Sequence, residues 1–220
     1  MKKVSELSVF FPFWNEENNV KSVVEKAIKV LGRIAETWEI LIIDDGSTDN
    51  TRIIGLELQK KYQNVKVVTH TPNRGYGSAL QEGLNKAKYG LVVFTDGDGQ
   101  FDFEEVTKLL GKIGNHDMVI GFREKRRDSF VRHLLMLYLK IHDFILFGFH
   151  FKDIDCGFKL FTRKALKAIL PLKSEGAMIT TEILAKAKKS KLKIAEVGVH
   201  HYPRHFGKQS GANLRVLVRA

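Results

Sequence analysis

The stretch GLVVFTDGDGQFD, residues 90–102, decides the fold: a short apolar run ends in three carboxylates, Asp96, Asp98 and Asp102, within seven positions. LVVFT (91–95) reads as a buried strand, and the acids stand where it surfaces. Like charges this close repel one another unless a cation or hydrogen bonds offset them. Gly97 and Gly99 permit tight turning and close approach of a ligand. Asp96 and Asp98, with the amide oxygen of Gln100, are hard oxygen donors suited to Mg²⁺ or Mn²⁺ shared with a diphosphate. The ordinary alternative is a turn, since Asp and Gly are common after strands.

Further apolar runs flank this one: LSVFF (7–11), EILII (39–43), VKVVTH (65–70) and DMVIG (117–121). Between the first two, Val20, Val23, Val24, Ala27, Ile28 and Leu31 form the stripe of an amphipathic helix that ends near Gly32. Weaker helical patterns cover 50–61, 77–88 and 103–113, with Asp102 as a cap for the last. Strands alternating with helices predict an α/β fold with a mostly parallel central sheet and right-handed crossovers. In such sheets ligands bind beyond the carboxyl ends of the strands. Those ends read PFWNEE, DDGSTD, TPNRGYGSAL and DGDGQFD, with acids at three of them, which predicts one shared site.

The second half is less regular. Residues 130–151 are helical in pattern and apolar nearly all round, behind the basic cluster REKRR at 123–127. DIDCGFKLFTRKAL (153–166) reads as a turn, a short strand and a helix start; 178–189 reads as helix and KIAEVGVHHY as strand. No repeat, low-complexity tract or Pro/Gly linker divides the chain, so 1–220 is read as one domain.

An apolar fraction of 44% excludes a disordered chain. One cysteine, Cys156, excludes an internal disulfide framework or a multi-cysteine metal site. The start, MKKVSELSVFFPFWNEE, reads as a first strand and not a signal peptide, and nowhere do 18 apolar residues run together. A net charge of +11 favours an anionic partner: nucleic acid, anionic lipid or a phosphorylated substrate.

Taken singly, the other strand-end motifs have ordinary readings. Ser47 or Thr48 suits a helix cap, Asn15 suits an N-cap, and Glu16 and Glu17 suit a first helical turn. NRGYGSAL lacks the third glycine of a phosphate loop, because Leu80 stands there. An EF-hand loop starting at Asp96 fails, with Phe101 and Thr107 where Gly and Glu are required. A haloacid-dehalogenase-like phosphatase also follows an apolar strand with D-x-D and would use Asp96 as nucleophile. It stands as the alternative, although this is the fourth strand and not the first. A basic nucleic-acid-binding domain is a second alternative, without a reader motif to support it.

In order and spacing, however, FPFWNEENN, EILIIDDGSTDNT, NRGYGSALQEG, FTDGDGQFDFEEV, VIGFREKRR, DIDCGFKLFTRKAL, TTEILAKA and HHYPRHFGKQSG resemble the motifs of family-2 glycosyltransferases with the GT-A fold. More narrowly, the chain resembles the dolichyl- and polyprenyl-phosphate sugar transferases, over about residues 5–211. That resemblance implies a nucleotide-sugar-binding half at about 1–122 and an acceptor-binding half at about 123–220. It implies that Pro12, Glu16 and Asp45 line the nucleoside pocket, and that Asp96, Asp98 and Gln100 hold Mg²⁺ or Mn²⁺ on the donor diphosphate. Arg123 and Arg132 would grip the acceptor phosphate, and Arg204 in RHFGKQS would close over the diphosphate.

The implied reaction is inverting transfer of one sugar, from GDP-mannose or a UDP-hexose, to a polyprenyl or dolichyl phosphate. With a phosphate acceptor no strong base is required; Glu182 and Asp155 match acidic positions of the family, but neither is assigned as base. The implied setting is the cytoplasmic face of a membrane, as a peripheral protein, with no nucleic-acid partner. The sequence does not set the oligomeric state. Departures from the family pattern are Trp14 in place of a tyrosine, and Gly211 where a lysine is usual, with Lys208 earlier. The Q-x-x-R-W motif of processive synthases is absent, which argues for single-sugar transfer.

Overall fold

The computed structural model describes residues 3–124, 148 and 150–207. Seven strands form one sheet: β1 (Val4–Phe13), β2 (Ala35–Asp44), β3 (Val65–Thr69), β4 (Leu91–Thr95), β5 (Met118–Arg123), β6 (Phe158–Thr162) and β7 (Ile194–Val199). Their order is β3-β2-β1-β4-β6-β5-β7. All neighbours pair in parallel except β6, which runs antiparallel to both β4 and β5. The expected mostly parallel α/β sheet is therefore present, with one reversed strand near its middle.

Helices cover both faces, which is why the strands read as near-continuous apolar runs. Side chains alternate between the faces, as the two-residue period of a strand requires. Leu7, Val9, Phe11, Ile40 and Ile42 join the core beneath α1 (Val20–Ile34), α2 (Thr51–Lys61) and α4 (Val106–Ile113). Phe10, Leu41, Ile43, Phe94 and Phe161 join the other core, beneath α3 (Tyr76–Lys86), α5 (Arg163–Ile169) and α6 (Ile179–Lys189). There Phe10 stacks on Phe94 at 5.5 Å and Phe94 on Phe161 at 6.2 Å, tying β1, β4 and β6 together.

Three expectations are corrected. Helix α1 does not end near Gly32 but continues to Ile34, because Val30, Leu31 and Ile34 are all buried. Its N-cap is Asn19, so Asn15 is not a cap and Glu16 and Glu17 precede the helix. Neither Ser47 nor Thr48 caps α2: the Ser47 hydroxyl accepts the Asn15 N–H, and Asp49 takes the Thr51 N–H at 3.0 Å. These side chains tie the loop after β1 to the loop after β2. Asp102 does act as expected, accepting the Glu104 N–H at 3.0 Å and starting a 3-10 turn ahead of α4. The apolar segment 130–147 and Arg132 lie outside the described residues.

Candidate active site

The carboxyl ends of β1 to β5 and β7, and the entry into the reversed β6, share one edge of the sheet. There the segments 14–19, 45–51, 70–77, 96–102, 153–157 and 200–207 meet. A site built this way follows from topology: parallel strands deliver their loops to the same side.

Asp45 is buried and holds the third loop in shape. One carboxylate oxygen accepts from His70 Nδ1 at 2.7 Å and from the Arg74 N–H at 3.0 Å. The other accepts from Asn73 Nδ2 at 2.9 Å and from the Gly75 N–H at 2.8 Å. Two more N–H groups of NRGYGSAL, those of Gly77 and Ser78, go to the Glu175 carbonyl. The glycine-rich turn thus spends these donors inside the protein and not on a phosphate. Glu182 holds the facing segment by accepting the N–H groups of Lys173 and Ser174. Burial pushes its pKa up, but the Lys186 ammonium and these N–H groups outweigh that and bring it down to about 2.

Asp96 is the first residue beyond β4. Its Oδ1 accepts the Tyr76 hydroxyl at 2.8 Å, and its N–H donates to the Gly157 carbonyl at 3.1 Å. The carboxylate fills the space a side chain at position 157 would need: a Cβ there would stand 2.0 Å from Oδ2. Burial, and then the neighbouring Asp98, push the Asp96 pKa up to about 7, against the Tyr76 hydrogen bond and the charges of Lys159 and Arg123. Gly97 presses on β1; a Cβ there would meet the Phe13 ring at 2.5 Å and the Pro12 carbonyl at 2.7 Å. Pro12 therefore lines the gap between β1 and the Asp96 turn.

Asp98 accepts the Gln100 N–H at 3.0 Å through Oδ1, and its Oδ2 lies 3.5 Å from Arg204 Nη1. The same guanidinium pairs with Glu16 through Nη2 and donates to the Phe206 carbonyl from Nε. Arg204 thus sits between the acid of the first loop and the second acid of the D-x-D. Burial raises the Glu16 pKa, although its bonds with Asn19 and Arg204 oppose the rise. Gln100 is buried, and its amide Nε2 donates to the Tyr202 carbonyl at 2.8 Å, while the Tyr202 N–H donates to the Gln100 carbonyl. This reciprocal pair stitches the tail after β7 to the D-x-D turn. Arg123 is held by Asp153 through two parallel bonds, Nε–Oδ2 at 2.6 Å and Nη2–Oδ1 at 2.8 Å.

The structure thus gathers Pro12, Glu16, Asp45, Asp96, Asp98, Gln100, Arg123 and Arg204 at one sheet edge. Sequence reading missed four residues there. Tyr76 reaches Asp96 across 20 positions, and His70 and Asn73 brace Asp45. Lys159 is fully buried in β6, where its Nζ donates to the Ile154 carbonyl at 3.0 Å and the Cys156 carbonyl at 2.5 Å, shaping the turn beside Asp96. Only the tyrosine carried a signal: an aromatic residue between two glycines at a strand end.

The donor set fits a hard divalent cation. Two carboxylates stand together, one kept reluctant to ionise by burial and by its neighbour, and the positive charge nearest Asp98 is Arg204. Among the described residues no group of three or more His, Cys, Asp or Glu side chains is arranged to hold a metal. A cation held by Asp96 and Asp98 would take further oxygens from a bound ligand, as Mg²⁺ bound with phosphates commonly does.

Comparisons with known proteins bear on the family and the fold. Residues 8–170 match the family described as Glycosyl transferase family 2. The dolichyl-phosphate beta-glucosyltransferase of Dictyostelium discoideum is 36% identical over 214 residues, covering 88% of this chain and 65% of that protein. The human protein of the same name is 31% identical, covering 89% of this chain and 67% of its own length. The chain thus spans about two thirds of these relatives. Among solved structures, glucosyl-3-phosphoglycerate synthase from Mycobacterium tuberculosis, in complex with Mn²⁺, uridine diphosphate and glucosyl-3-phosphoglycerate, superposes with a TM-score of 0.68. That match has 20% identity and covers 93% of this chain and 73% of that one. It is a likeness of fold.

Proposed function

The chain belongs to Glycosyl transferase family 2 and has its GT-A fold, and on that premise we propose that it moves one glucosyl residue from UDP-glucose to a dolichyl or other polyprenyl phosphate. The observation that carries the reading is the meeting of Asp96, Asp98, Glu16 and Arg204 at the carboxyl edge of the sheet. Glucose as the sugar, and dolichyl phosphate as the acceptor, are supported by the names of the relatives.

In this reading a phosphate oxygen of the acceptor attacks the anomeric carbon, the bond to the diphosphate breaks, and the configuration inverts. A phosphate monoester has its second pKa near ~6, so the nucleophile is already ionised at neutral pH. No general base is then required, and Glu182 is unsuited to the role, being tied to Lys173, Ser174 and Lys186. Asp96 and Asp98 would hold a divalent cation, which would supply neutralisation of charge on the leaving diphosphate. Arg204 leaves Asp98 and Glu16 to bind diphosphate oxygens by charge-assisted hydrogen bonds. Pro12, Glu16 and Asp45 shape the nucleoside end, Gln100 holds the tail beside the cation, and Arg123 and Arg132 receive the acceptor phosphate.

The setting proposed is peripheral, at the cytoplasmic face of a membrane, where a net charge of +11 suits an anionic leaflet. Among the described residues no helix is long and apolar enough to cross a bilayer.

The test is transfer of label from UDP-glucose, GDP-mannose and UDP-N-acetylglucosamine to dolichyl phosphate in mixed micelles, with Mn²⁺, Mg²⁺ or a chelator. Cation-dependent formation of dolichyl-phosphate glucose, lost in Asp98→Asn, is expected. Hydrolysis of phosphate esters through an Asp96 phospho-enzyme, with no sugar transfer, would overturn the reading in favour of a phosphatase.

A further inference from the structure

Tyr76 stands at the first position of α3, and the backbone on either side of it is fixed. Before it, the N–H groups of Arg74 and Gly75 are held by Asp45. Gly75 takes φ +96, a conformation that favours glycine. After it, the N–H groups of Gly77 and Ser78 donate to the Glu175 carbonyl at 2.8 and 3.3 Å. Gly77 is pressed so closely that a Cβ would lie 2.5 Å from the Glu175 carbonyl carbon. Pinned at both ends, the residue sends its phenol across to Asp96 Oδ1 at 2.8 Å while 36% of the residue stays exposed. Carried on this rigid mount, Tyr76 belongs to neither hydrophobic core.

On the far side, Asp96 Oδ2 fills the space over Gly157. The carboxylate is therefore fixed by a donor at one oxygen and by contact at the other. We infer that Tyr76 is a positioning residue whose hydroxyl holds the Asp96 carboxylate in the rotation that receives a divalent cation, linking the loop braced by Asp45 to the cation end of the donor. This rests on the proposed cation site. Donors that orient ligating carboxylates typically account for ~10–100-fold in metal affinity.

The experiment is Mn²⁺ titration of the whole protein with UDP present, followed by the paramagnetic resonance of free Mn²⁺, for wild type, Tyr76→Phe and Tyr76→Ala. Loss of the hydroxyl alone is expected to weaken Mn²⁺ binding ~10-fold or more, beyond what the modest drop in melting temperature of the metal-free protein accounts for. Tyr76→Ala should weaken it equally. Wild-type affinity in Tyr76→Phe, with loss only in Tyr76→Ala, would assign the ring a packing role and overturn the inference alone. A loss of Mn²⁺ affinity in Tyr76→Phe that the unfolded fraction wholly accounts for would do the same. A wild type that binds no Mn²⁺ would overturn the cation site and the inference together.

Discussion

Replacing Gly157 by alanine adds one methyl group at the most crowded point of the site. The backbone does not resist it, because Gly157 is not among the glycines with positive φ. The neighbouring side chain does. A Cβ would stand 2.0 Å from Asp96 Oδ2, 2.4 Å from Cγ and 2.7 Å from Oδ1, whereas real Cβ contacts do not fall below 3.0 Å. Something must therefore move by at least about 1 Å. The strands cannot: Asp96 N–H is bonded to the Gly157 carbonyl, and Thr95 is in register with Phe158 one residue further on. The carboxylate turns instead and leaves the Tyr76 hydroxyl. A misplacement of about 1 Å at a reacting centre costs roughly 10²-fold in rate, or about 2.7 kcal/mol in the barrier. The stability cost is smaller. A hydrogen bond to a charged group is worth about 1.5–3 kcal/mol, and glycine to alanine returns about 0.4–1 kcal/mol through the unfolded chain. We expect kcat/KM for sugar transfer to fall about 100-fold and half-saturation by Mn²⁺ to rise, while the urea midpoint drops modestly. Wild-type kcat/KM in Gly157→Ala would refute the argument, as would a rate loss explained wholly by the unfolded fraction.

The other expectations concern charge. Glu182 has its folded pKa lowered to about 2 from 4.5, so its stabilisation is complete above pH 4.5 and is lost as pH falls through about 2. At about 1.36 kcal/mol per pKa unit the shift corresponds to about 3 kcal/mol, and screening brings this nearer to about 2. Glu182→Gln should then lower the urea-derived stability by about 2 kcal/mol at pH 7, with the gap to wild type narrowing below pH 4.5; a pH-independent gap would count against it. Asp153→Asn leaves Arg123, 14% exposed at its side chain, without its carboxylate. Stability should fall by about 3–5 kcal/mol, and the double variant with Arg123→Met should recover much of it in the same denaturation assay. If Arg204 binds the diphosphate as proposed, steady-state kinetics of Arg204→Ala should show KM for the nucleotide-sugar rising about 10–100-fold.

The strands and helices were legible because local patterns specify them. LVVFT is bounded in the structure at the same residues, 91–95, and the stripe Val20–Leu31 marks α1 correctly at its start. The end of α1 was misread because Gly32 weakens a helix only slightly, while burial of Ile34 two residues later holds it. The short helix signals at Asn15 and Ser47 were misassigned for another reason: those side chains bond to each other's loops, more than 30 positions apart. The acids of the site were visible as motifs. Their braces were not, since Tyr76 and His70 act through contacts 20 and 25 positions apart that only the assembled sheet creates, and a lysine in an apolar strand gives no sign that it turns back on the carbonyls just before it. Arg123 could be picked out as basic, but its partner Asp153 lies 30 positions on.

Strand β6 lies between β4 and β5 yet follows both in the chain. While the protein is being synthesised, β4 and β5 emerge first and cannot be joined until Thr162 has left the ribosome. In the interval Val92, Phe94, Met118 and Ile120 belong to strands with open edges, the kind of surface that recruits a second nascent chain. At ~5–20 residues per second the forty or so residues from Arg123 to Thr162 take roughly 2–8 s. Slower translation across this segment lengthens the time these edges stand open, and should lower the yield of folded protein accordingly.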